Sequence, residues 1–534
     1  MAQPSMMFYH DGRHPLIYMY EPPMQKEEYE AGVDELAGTP IEAIMFCLGD
    51  GRTMLHDTKV GELWGTPTEK WPHLGFRRAY QNAKHLIEEG NDPLQVICNR
   101  AHANGLLLYP TLLVQQWSGN HEEDPGNFAR TSNFRLENKH LEIGAGGDLD
   151  ADARSTHYLD FKHEEVREER FALIQETLDR YPVDGFELQL NYGLAYFHPD
   201  EMEEGRRTMT GWIRRVYEAV KKNGSDRELV IRVPTSIEEA HSIGLDLQEW
   251  IDQGIVDVLV GEEFHRSTSL SFSFANPSIN FTELVEAAKS ADCRVHAAIY
   301  SHLDSDRLNQ ATIESIRASA CNYWEQGIDG LYLSHWFGNW PYKGSFYEKL
   351  RELPYPDIMA PRDKSYHVPT STGVYPDPAL QPGVPMQLPV DLLVNKPIEI
   401  ALTIADDLAR WDAVGRVHEV LLRVRAIETT ELDRYRFKLN GSELPDRLLR
   451  KINRMYMMGG PRYRVRGYWY VFRLDREHWP QKGHNTVEVT LLERDPDVIP
   501  QVRLRDVELE IKYLMGKNFH RDVVDPDLGP HEHA

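Results

Sequence analysis

Residues 181–192 read YPVDGFELQLNY, and this stretch decides how the rest of the chain is interpreted. The Asp184-Gly185 pair predicts a turn that leads directly into a short strand. Along that strand apolar and polar side chains alternate, so the two sets face opposite sides. The polar set consists of Glu187, Gln189 and Asn191. Hydrogen-bonding groups on one face of a buried strand cost free energy unless they line a site, so we expect a functional cavity here.

Seven other short apolar or alternating runs lie between residues 16 and 341, and most are followed by a helical pattern. Strand–helix alternation repeated eight times predicts an α/β protein with a (β/α)8 barrel, or TIM barrel, of parallel strands. A doubly wound open sheet is the competing architecture, but no Gly-rich phosphate loop follows the first predicted strand. The predicted strands are residues 16–21, 41–48, 105–114, 185–191, 228–234, 256–263, 294–302 and 330–336.

The pattern changes after the barrel. Residues 350–388 are rich in Pro and turn residues, and the runs that follow, such as IEIALTI and YWYVFRLD, have the period of two that predicts an antiparallel β-sandwich. The chain is therefore predicted to have four parts. They are a catalytic-type barrel over 1–350, a Pro-rich linker over 351–388, an accessory β-sandwich over 389–516 and a flexible tail over 517–534.

Composition limits the partners and the compartment. The net charge of −25 over 534 residues argues against nucleic acid or an anionic membrane surface as a partner. No run approaches the roughly 20 apolar residues of a membrane helix. The N-terminal residues show no basic start followed by an apolar run, so we expect no signal peptide and a cytoplasmic protein. The four cysteines have no metal-binding spacing and fit buried positions in a reducing compartment.

In a barrel of this kind the chemistry lies where the strands end, and two carboxylates come together there. We predict Glu187 on strand four and Glu263 at the end of strand six as the catalytic pair. In strand six alternate valines share a face, which predicts that Glu263 faces the site and Glu262 the helices. Arg232, on the strand between them, could lower the pKa of one carboxyl group.

Carboxylates beside aromatic rings suit a sugar, because the apolar ring face stacks on aromatic side chains while the hydroxyl groups form hydrogen bonds. Two carboxylates flanking a bond are also what glycoside hydrolysis requires. The predicted substrate-binding residues share a position at or just beyond a strand end. They are Asp50, His56, Gln116, Trp117, Gln189, Asn191, Tyr192, Arg232, His265, Tyr300, His302, His335, Trp336 and Trp340.

Several segments resemble the family-10-like glycoside hydrolase group, which has a TIM barrel and a galactose-binding-like C-terminal sandwich. DFKHEEVREERFALIQETLDRYPVDGFELQLN is similar to the central segment of that group, and LNGSELP and HNTVEVTLLERDP are similar to parts of its accessory domain. The resemblance implies a glycosidase. In that group strand four commonly reads Asp-Gly-x-x-Leu-Asp, whereas Gln189 stands at the second Asp here and cannot act as an acid or base.

The leading hypothesis is therefore a glycoside hydrolase-like enzyme that cleaves a glycosidic bond of an oligo- or polysaccharide. One alternative is a barrel that binds sugar without hydrolysing it, which Gln189 favours. Another is a metal-dependent isomerase or lyase acting on a sugar acid, with His302 and His335 joining the two predicted carboxylates. No HxH or HExxH spacing supports a metal, so we expect neither metal nor cofactor. The sequence makes no prediction of oligomeric state.

Overall fold

Eight parallel strands form a closed barrel in the computed structural model. Each strand pairs with the next, and the first pairs with both the second and the eighth. The predicted combination of an α/β barrel and a C-terminal antiparallel β-sandwich is confirmed. The strands are β1 (Met6–His10), β2 (Ala43–Asp50), β3 (Leu107–Leu113), β4 (Gly185–Gln189), β5 (Glu228–Val233), β6 (Val258–Gly261), β7 (Arg294–Tyr300) and β8 (Gly330–Ser334).

The structure describes most but not all of the chain. Of the residues predicted to bind substrate, Gln116, Trp117, Tyr192 and His265 lie outside the described residues. The described residues are 3–66, 68–71, 73–115, 130–150, 154–191, 193–263, 275–303, 310–370, 387–454 and 467–515, with the backbone of 524–525 and 529–530.

The first barrel strand lies earlier than the sequence pattern predicts. The run at residues 16–21 is not a strand, because Pro15–Met19 forms a π-helical turn whose first three residues are buried. A short buried apolar run has no periodicity that separates strand from helix, and Pro15 can begin a helical turn because it needs no N–H partner there. The strand is instead Met6–His10, in which all five residues are buried.

Helices cover the outside of the barrel. A glycine with positive φ follows three of them, with Gly105 after Pro93–Ala103, Gly254 after Leu247–Asp252 and Gly327 after Ile313–Trp324. The helices are α1 (Lys26–Asp34), α2 (Leu74–Glu88), α3 (Pro93–Ala103), α4 (Asn133–Glu137), α5 (Glu164–Arg180), α6 (Met202–Lys222), α7 (Ile237–Ser242), α8 (Leu247–Asp252), α9 (Thr282–Ala288), α10 (Ile313–Trp324), α11 (Gly344–Glu352), α12 (Pro356–Met359) and α13 (Leu408–Ala413). Shorter 3-10 turns span Lys139–Leu141, Arg154–His157, Pro199–Glu201, Trp336–Asn339, Asp446–Leu448 and Arg476–His478.

Two sheets of the sandwich pack around a second apolar core. Residues Lys364–His367, within the segment predicted as a linker, form a strand that pairs with Arg503–Tyr513. One sheet contains Lys364–His367, Val390–Asp391, Arg503–Tyr513, Val417–Ile427, Tyr468–Arg473 and Leu449–Asn453, and the other contains Pro397–Ile404, Gly483–Glu493, Arg434–Leu439 and Ser442–Glu443. Two-residue strands also occur at Thr53–Met54, Glu62–Leu63, Val524–Asp525 and Gly529–Pro530. Among the described helices, none has the length and apolar content to cross a membrane.

The Asp184-Gly185 pair at the start of β4 is fixed by its neighbours in the barrel. The Asp184 carboxylate accepts a hydrogen bond from the Leu108 backbone N–H at 2.8 Å, which ties β4 to β3. The Tyr109 ring lies over Gly185, where a Cβ atom would come within 2.2 Å of the ring and 2.6 Å of the Glu228 carbonyl oxygen. Only glycine fits this contact, so packing against Tyr109 and Glu228 explains the glycine at position 185.

We therefore expect Gly185→Ala to lower the free energy of unfolding by about 1–3 kcal/mol, the usual effect of overpacking. Gly211→Ala, on an exposed position of α6 with open space around it, is the matched control. This control should be neutral or stabilise the protein by about 0.5–1 kcal/mol. Denaturant unfolding followed by circular dichroism compares the two, and equal stability of both variants would contradict the packing argument.

Candidate active site

A buried arginine at the end of β5 organises the polar interior of the barrel. The Arg232 guanidinium packs against the rings of Tyr9 and Tyr332, with 4.5 Å from its central carbon to each ring centre. Its Nε lies 3.1 Å from Glu187 Oε1, and its Nη1 lies 3.6 Å from Glu262 Oε2. Burial alone would lower the pKa of Arg232, but these carboxylates raise it well above its ordinary value. One guanidinium thus bridges two carboxylates.

Glu187 is enclosed in this interior. Its Oε2 accepts hydrogen bonds from the Thr111 hydroxyl and, at 3.0 Å, from the Tyr332 hydroxyl, while its Oε1 accepts from Arg232. The side chain has no exposed surface. The strand alternation that predicted Glu187 on the inner face of β4 agrees with these contacts. Both oxygens are engaged by protein donors, which holds the carboxylate in place.

Glu262, directly after β6, has a different environment. Its Oε1 accepts hydrogen bonds from the Ser334 hydroxyl at 2.5 Å and from the Tyr300 hydroxyl, and its Oε2 accepts from the Asn191 amide. Burial alone would raise the pKa of this carboxyl group. The positive charge of Arg232 and the hydrogen bonds from Ser334 and Tyr300 outweigh burial, so the pKa is lowered from its ordinary value. Glu262 is therefore ionised at neutral pH.

The predicted orientation of the two adjacent glutamates was wrong. Glu262 faces the barrel interior, whereas Glu263 is half-buried and accepts a hydrogen bond from the Asn276 amide at 3.0 Å, near Tyr323 of α10. The reason lies in β6 itself, where both faces are apolar. Val258 and Val260 fill the inside of the barrel and not its helix-facing side, and Glu262 continues their alternation.

Two amide side chains of β4 and the loop after it also reach this interior. Gln189 and Asn191 are buried, and neither Gln189 Oε1 nor Asn191 Oδ1 accepts a hydrogen bond from any residue that the structure describes. Since Asn191 already donates to Glu262, its carbonyl oxygen is directed away from that carboxylate. These oxygens are acceptors suited to hydroxyl groups of a bound molecule.

Tyr300 and His335 form the aromatic part of the site. The two rings stack with centres 5.5 Å apart. His335 follows β8 in the left-handed region, at φ 59°, which is uncommon outside glycine and clusters at functional sites. Burial lowers the pKa of His335 to about 4, so its imidazole is neutral at neutral pH. His302 lies beside Ser301, whose hydroxyl is 2.9 Å from Nδ1, and burial lowers its pKa as well.

Asp50, at the end of β2, belongs to a cluster of charges next to this site. Its carboxylate oxygens lie 2.7 Å from Arg13 and 3.0 Å from Arg130, and the Trp64 indole donates to it at 3.2 Å. Burial alone would raise the pKa of Asp50, but the two arginines and the indole hydrogen bond lower it well below its usual range. Arg13 also pairs with Asp11 at 2.9 Å, which links this cluster to the end of β1.

Sequence reasoning missed Asp11 and Arg13 because the first strand was assigned too late in the chain. A signal was present, since HDGR follows directly after MMFYH, a run with the character of a barrel strand. Asp11 lies within electrostatic reach of His335, as does Glu262. The pKa of Asp11 is lowered, because the charge and hydrogen bond of Arg13 outweigh the effect of burial.

Three other predicted residues make their contacts elsewhere. His56 packs edge-on against Tyr181, the residue directly after α5, and burial lowers the pKa of His56 to about 4. Trp336 is buried, and its indole donates to the Ile299 carbonyl at 2.9 Å. The Trp340 indole donates to Glu35, next to the end of α1, at 3.0 Å. No contact joins these three side chains to Glu187 or Glu262 among the described residues.

The described residues contain no group of three or more His, Cys, Asp and Glu side chains arranged to hold a metal ion. The four cysteines are buried, and burial raises the pKa of Cys47 to about 12. The groups that converge in the barrel are therefore carboxylates, a guanidinium, hydroxyls, amides and neutral imidazoles. Such a set can form hydrogen bonds to a polyhydroxylated molecule, with an ionised carboxylate beside it.

No protein-family model and no curated protein matches the sequence. Among solved structures, a cycloisomaltooligosaccharide glucanotransferase from Paenibacillus sp., in complex with cycloisomaltoheptaose, is 13% identical with a TM-score of 0.34, over 94% of this chain and 57% of that protein. Alpha-L-fucosidase isoenzyme 2 from Paenibacillus thiaminolyticus is 10% identical with a TM-score of 0.42, over 67% of this chain and 50% of that one. The chain thus spans about half the length of both proteins.

The glycoside hydrolase domain of PgaB (BpsB) from Bordetella bronchiseptica is 13% identical, with a TM-score of 0.41, over 66% of this chain and 99% of that domain. These structural neighbours are glycoside hydrolases and related enzymes by name, but the similarity is too low to transfer a reaction. The resemblance to the family-10-like group stays a prediction.

Removing the shared guanidinium tests the charge balance of the barrel interior. We expect Arg232→Met to lower the free energy of unfolding by about 3–5 kcal/mol at neutral pH, because two buried carboxylates lose their countercharge. Without Arg232 we expect the pKa of Glu262 to rise above its value in the unfolded chain, because burial then outweighs the hydrogen bonds from Ser334 and Tyr300. The loss should therefore be greatest above the ordinary carboxyl pKa and shrink as the pH falls through it.

The control is Arg207→Met, which removes an exposed arginine that pairs with Glu203 on the surface of α6. This change should leave stability within experimental error at both pH values. Chemical unfolding of both variants at neutral and acid pH gives the comparison. Equal losses for the two variants would show that Arg232 is not the countercharge on which the interior depends.

Proposed function

We propose that the chain is a glycoside hydrolase-like enzyme that binds an oligo- or polysaccharide at the carboxyl end of the barrel and cleaves a glycosidic bond there. The observation that carries this proposal is the Glu262 carboxylate, which is buried at the end of β6, ionised and fixed by Ser334, Tyr300 and Asn191. A glycosidase needs such a carboxylate as nucleophile or general base beside the sugar.

The surrounding groups support a sugar as the ligand. Gln189 and Asn191 offer carbonyl oxygens that can accept hydrogen bonds from hydroxyl groups. His335 is neutral at neutral pH, so its imidazole can both donate and accept, and it stacks on Tyr300 beside Glu262. The site therefore combines an ionised carboxylate with neutral hydrogen-bonding groups, which suits an uncharged polyhydroxylated substrate.

The catalytic pair predicted from the sequence, Glu187 and Glu263, stays a prediction. The contacts favour Glu262 in the place of Glu263, because Glu262 has the inward position. In this proposal Glu187 positions Arg232, which in turn stabilises the charge of Glu262. The proton for the leaving group has to come from another acid, and Glu263, which accepts a hydrogen bond from Asn276, is the described carboxyl group that we consider for this role.

We also propose that the sandwich braces the barrel. The Asn322 amide of α10 donates to the Thr403 carbonyl at 2.8 Å, and the His367 imidazole lies 2.6 Å from the Ala275 carbonyl oxygen. Ala318 of α10 belongs to the apolar core of the sandwich. The contacts of Asn322 and Ala318 attach the second domain to α10, the helix that precedes β8, and β8 provides Ser334.

The first test of the function is Glu262→Gln, which keeps the shape of the side chain and removes its charge. We expect kcat to fall by about 10²–10⁴-fold, the usual contribution of a general base, with an unchanged fold. Hydrolysis of aryl glycosides and of oligosaccharides of glucose, galactose, fucose and N-acetylglucosamine is measured, with circular dichroism and thermal unfolding for the fold.

Glu286→Gln, an exposed carboxylate on α9, is the matched control and should keep full activity. Glu263→Gln, measured in parallel with Asp11→Asn and Glu187→Gln, tests whether Glu263 is the proton donor. Full activity of Glu262→Gln would refute its assigned role. Sugar binding by the unmodified protein without any product after long incubation would instead favour the non-catalytic sugar-binding barrel.

The hydrogen bond from Ser334 gives a prediction for the pH profile. Because that bond helps to lower the pKa of Glu262, Ser334→Ala should raise this pKa and move the acid limb of kcat/KM to higher pH. As the pH falls, the variant therefore loses activity at a higher pH than the unmodified enzyme does. Ser242→Ala, the same change at the exposed end of α7, should leave the profile unchanged. An acid limb that coincides in all three proteins would contradict the role of Ser334.

A further inference from the structure

A run of aromatic rings leads from Glu262 to the surface of the barrel. It begins at Tyr300, which donates its hydroxyl hydrogen to Glu262, and continues through His335, 5.5 Å away between ring centres. The next distances are 5.6 Å from His335 to Phe337, 5.4 Å from Phe337 to His14 and 5.1 Å from His14 to Tyr18. We call these five residues, Tyr300, His335, Phe337, His14 and Tyr18, the aromatic track.

The outer part of the track is formed by the segments that follow β1 and β8, the first and last strands of the barrel. Phe337 lies in the 3-10 turn Trp336–Asn339 after β8, and His14 and Tyr18 lie at the π-helical turn Pro15–Met19 after β1. The adjacency of β1 and β8 in the closed barrel brings these connections together. A π-helical turn is rare and occurs frequently at functional sites, because it redirects side chains that an α-helix would place elsewhere.

The outer part of the track becomes accessible as it leaves the barrel. Tyr300 is 1% exposed, His14 and Phe337 are half-buried, and Tyr18 is 62% exposed. Polar atoms accompany the rings. The buried atoms His14 Nε2 and Asn339 Oδ1 form no hydrogen bond with any residue in the described part of the chain. Burial lowers the pKa of His14, so this imidazole is neutral at neutral pH.

We propose that the aromatic track is a series of sugar subsites, so that the substrate is an oligosaccharide that extends from Glu262 outward to Tyr18. This inference rests on the proposed function and specifies which residues bind the sugar units beyond the cleaved bond. Pyranose rings present apolar faces that pack on aromatic rings, while their hydroxyls need acceptors and donors such as His14 Nε2 and Asn339 Oδ1.

An exposed tyrosine at the end of a track of rings also has a simple structural interpretation, in which the rings only pack against each other. The two interpretations differ in what a substitution at the outer end does. If the rings only pack, Tyr18 contributes nothing to turnover. If they bind sugar, its loss affects long substrates and spares short ones, because a short substrate occupies only the subsites next to Glu262.

The test measures kcat/KM of Tyr18→Ala and Phe337→Ala on cello-, chito-, malto-, isomalto- and galacto-oligosaccharides from disaccharide to hexasaccharide. For the longest substrate that the unmodified enzyme cleaves we expect each variant to lower kcat/KM about two- to tenfold, and for the shortest we expect little change in Tyr18→Ala. Tyr18 is exposed, so its removal leaves the fold intact. Tyr355→Ala, an exposed tyrosine at the start of α12, is the control and should match the unmodified enzyme. Equal effects of Tyr18→Ala on short and long substrates would overturn the inference.

A binding measurement separates this inference from the proposed reaction. Calorimetric titration of the same oligosaccharides into Glu262→Gln, with and without Tyr18→Ala, measures the affinity of the aromatic track for sugar in the absence of turnover. Affinity that rises with chain length and falls about two- to tenfold on loss of Tyr18 supports the track even if no hydrolysis is found. Affinity that is independent of chain length, or no binding of any oligosaccharide, would overturn it.

Discussion

The structure depends on one buried guanidinium and the groups that surround it. Arg232 has no exposed surface, and a charge in that position is tolerated only with partners on every side. The rings of Tyr9 and Tyr332 pack against it, and the carboxylates of Glu187 and Glu262 lie beside it. These residues come from β1, β4, β5, β8 and the end of β6. The interaction therefore couples the closure of the barrel to the position of the carboxylate that we assign to the chemistry.

The two carboxylates beside Arg232 differ in the partners that hold them, and this difference separates their roles. Both carboxylate oxygens of Glu187 accept hydrogen bonds, from Thr111, Tyr332 and Arg232 in the barrel interior. We therefore assign Glu187 the role of a fixed countercharge. Glu262 is held by Ser334 and Tyr300, the last residues of β8 and β7, so it lies at the carboxyl end of the barrel. In our proposal, the same guanidinium thus stabilises the barrel through one carboxylate and holds the catalytic carboxylate through the other.

The barrel could be predicted from the sequence because its signal is repeated along the chain. Alternation in β4 and β5 also predicted that Glu187 and Arg232 face inward, in agreement with their contacts. The orientation of Glu262 could not be predicted in the same way, since Val258, Leu259 and Val260 make both faces of β6 apolar. The inside of a closed barrel is itself a packed core, and apolar residues there look the same as those facing the helices.

The first strand and the contacts between strands could not be predicted from the sequence, for two other reasons. The run at residues 16–21 is as apolar as a strand, yet Pro15 begins a π-helical turn there. Because Met6–His10 was not predicted as a strand, Asp11, which follows it, was not predicted as a site residue. The bond from Ser334 to Glu262 joins residues 72 positions apart, and only the closed ring of strands brings them together. Periodicity reports the face on which a residue lies, but it does not report which partner it meets across the barrel.

The glutamine on strand four has a physical explanation in this arrangement. Gln189 stands where the resembled group commonly carries an acid, and it pairs in register with Arg232. Arg232 already compensates two carboxylates, Glu187 and Glu262, so an aspartate at position 189 would bring a third negative charge to the same guanidinium. A buried carboxylate without its own countercharge is costly, whereas an amide provides hydrogen bonds without charge. The neutral residue on β4 is thus consistent with an active barrel in which the essential carboxylate lies at the end of β6.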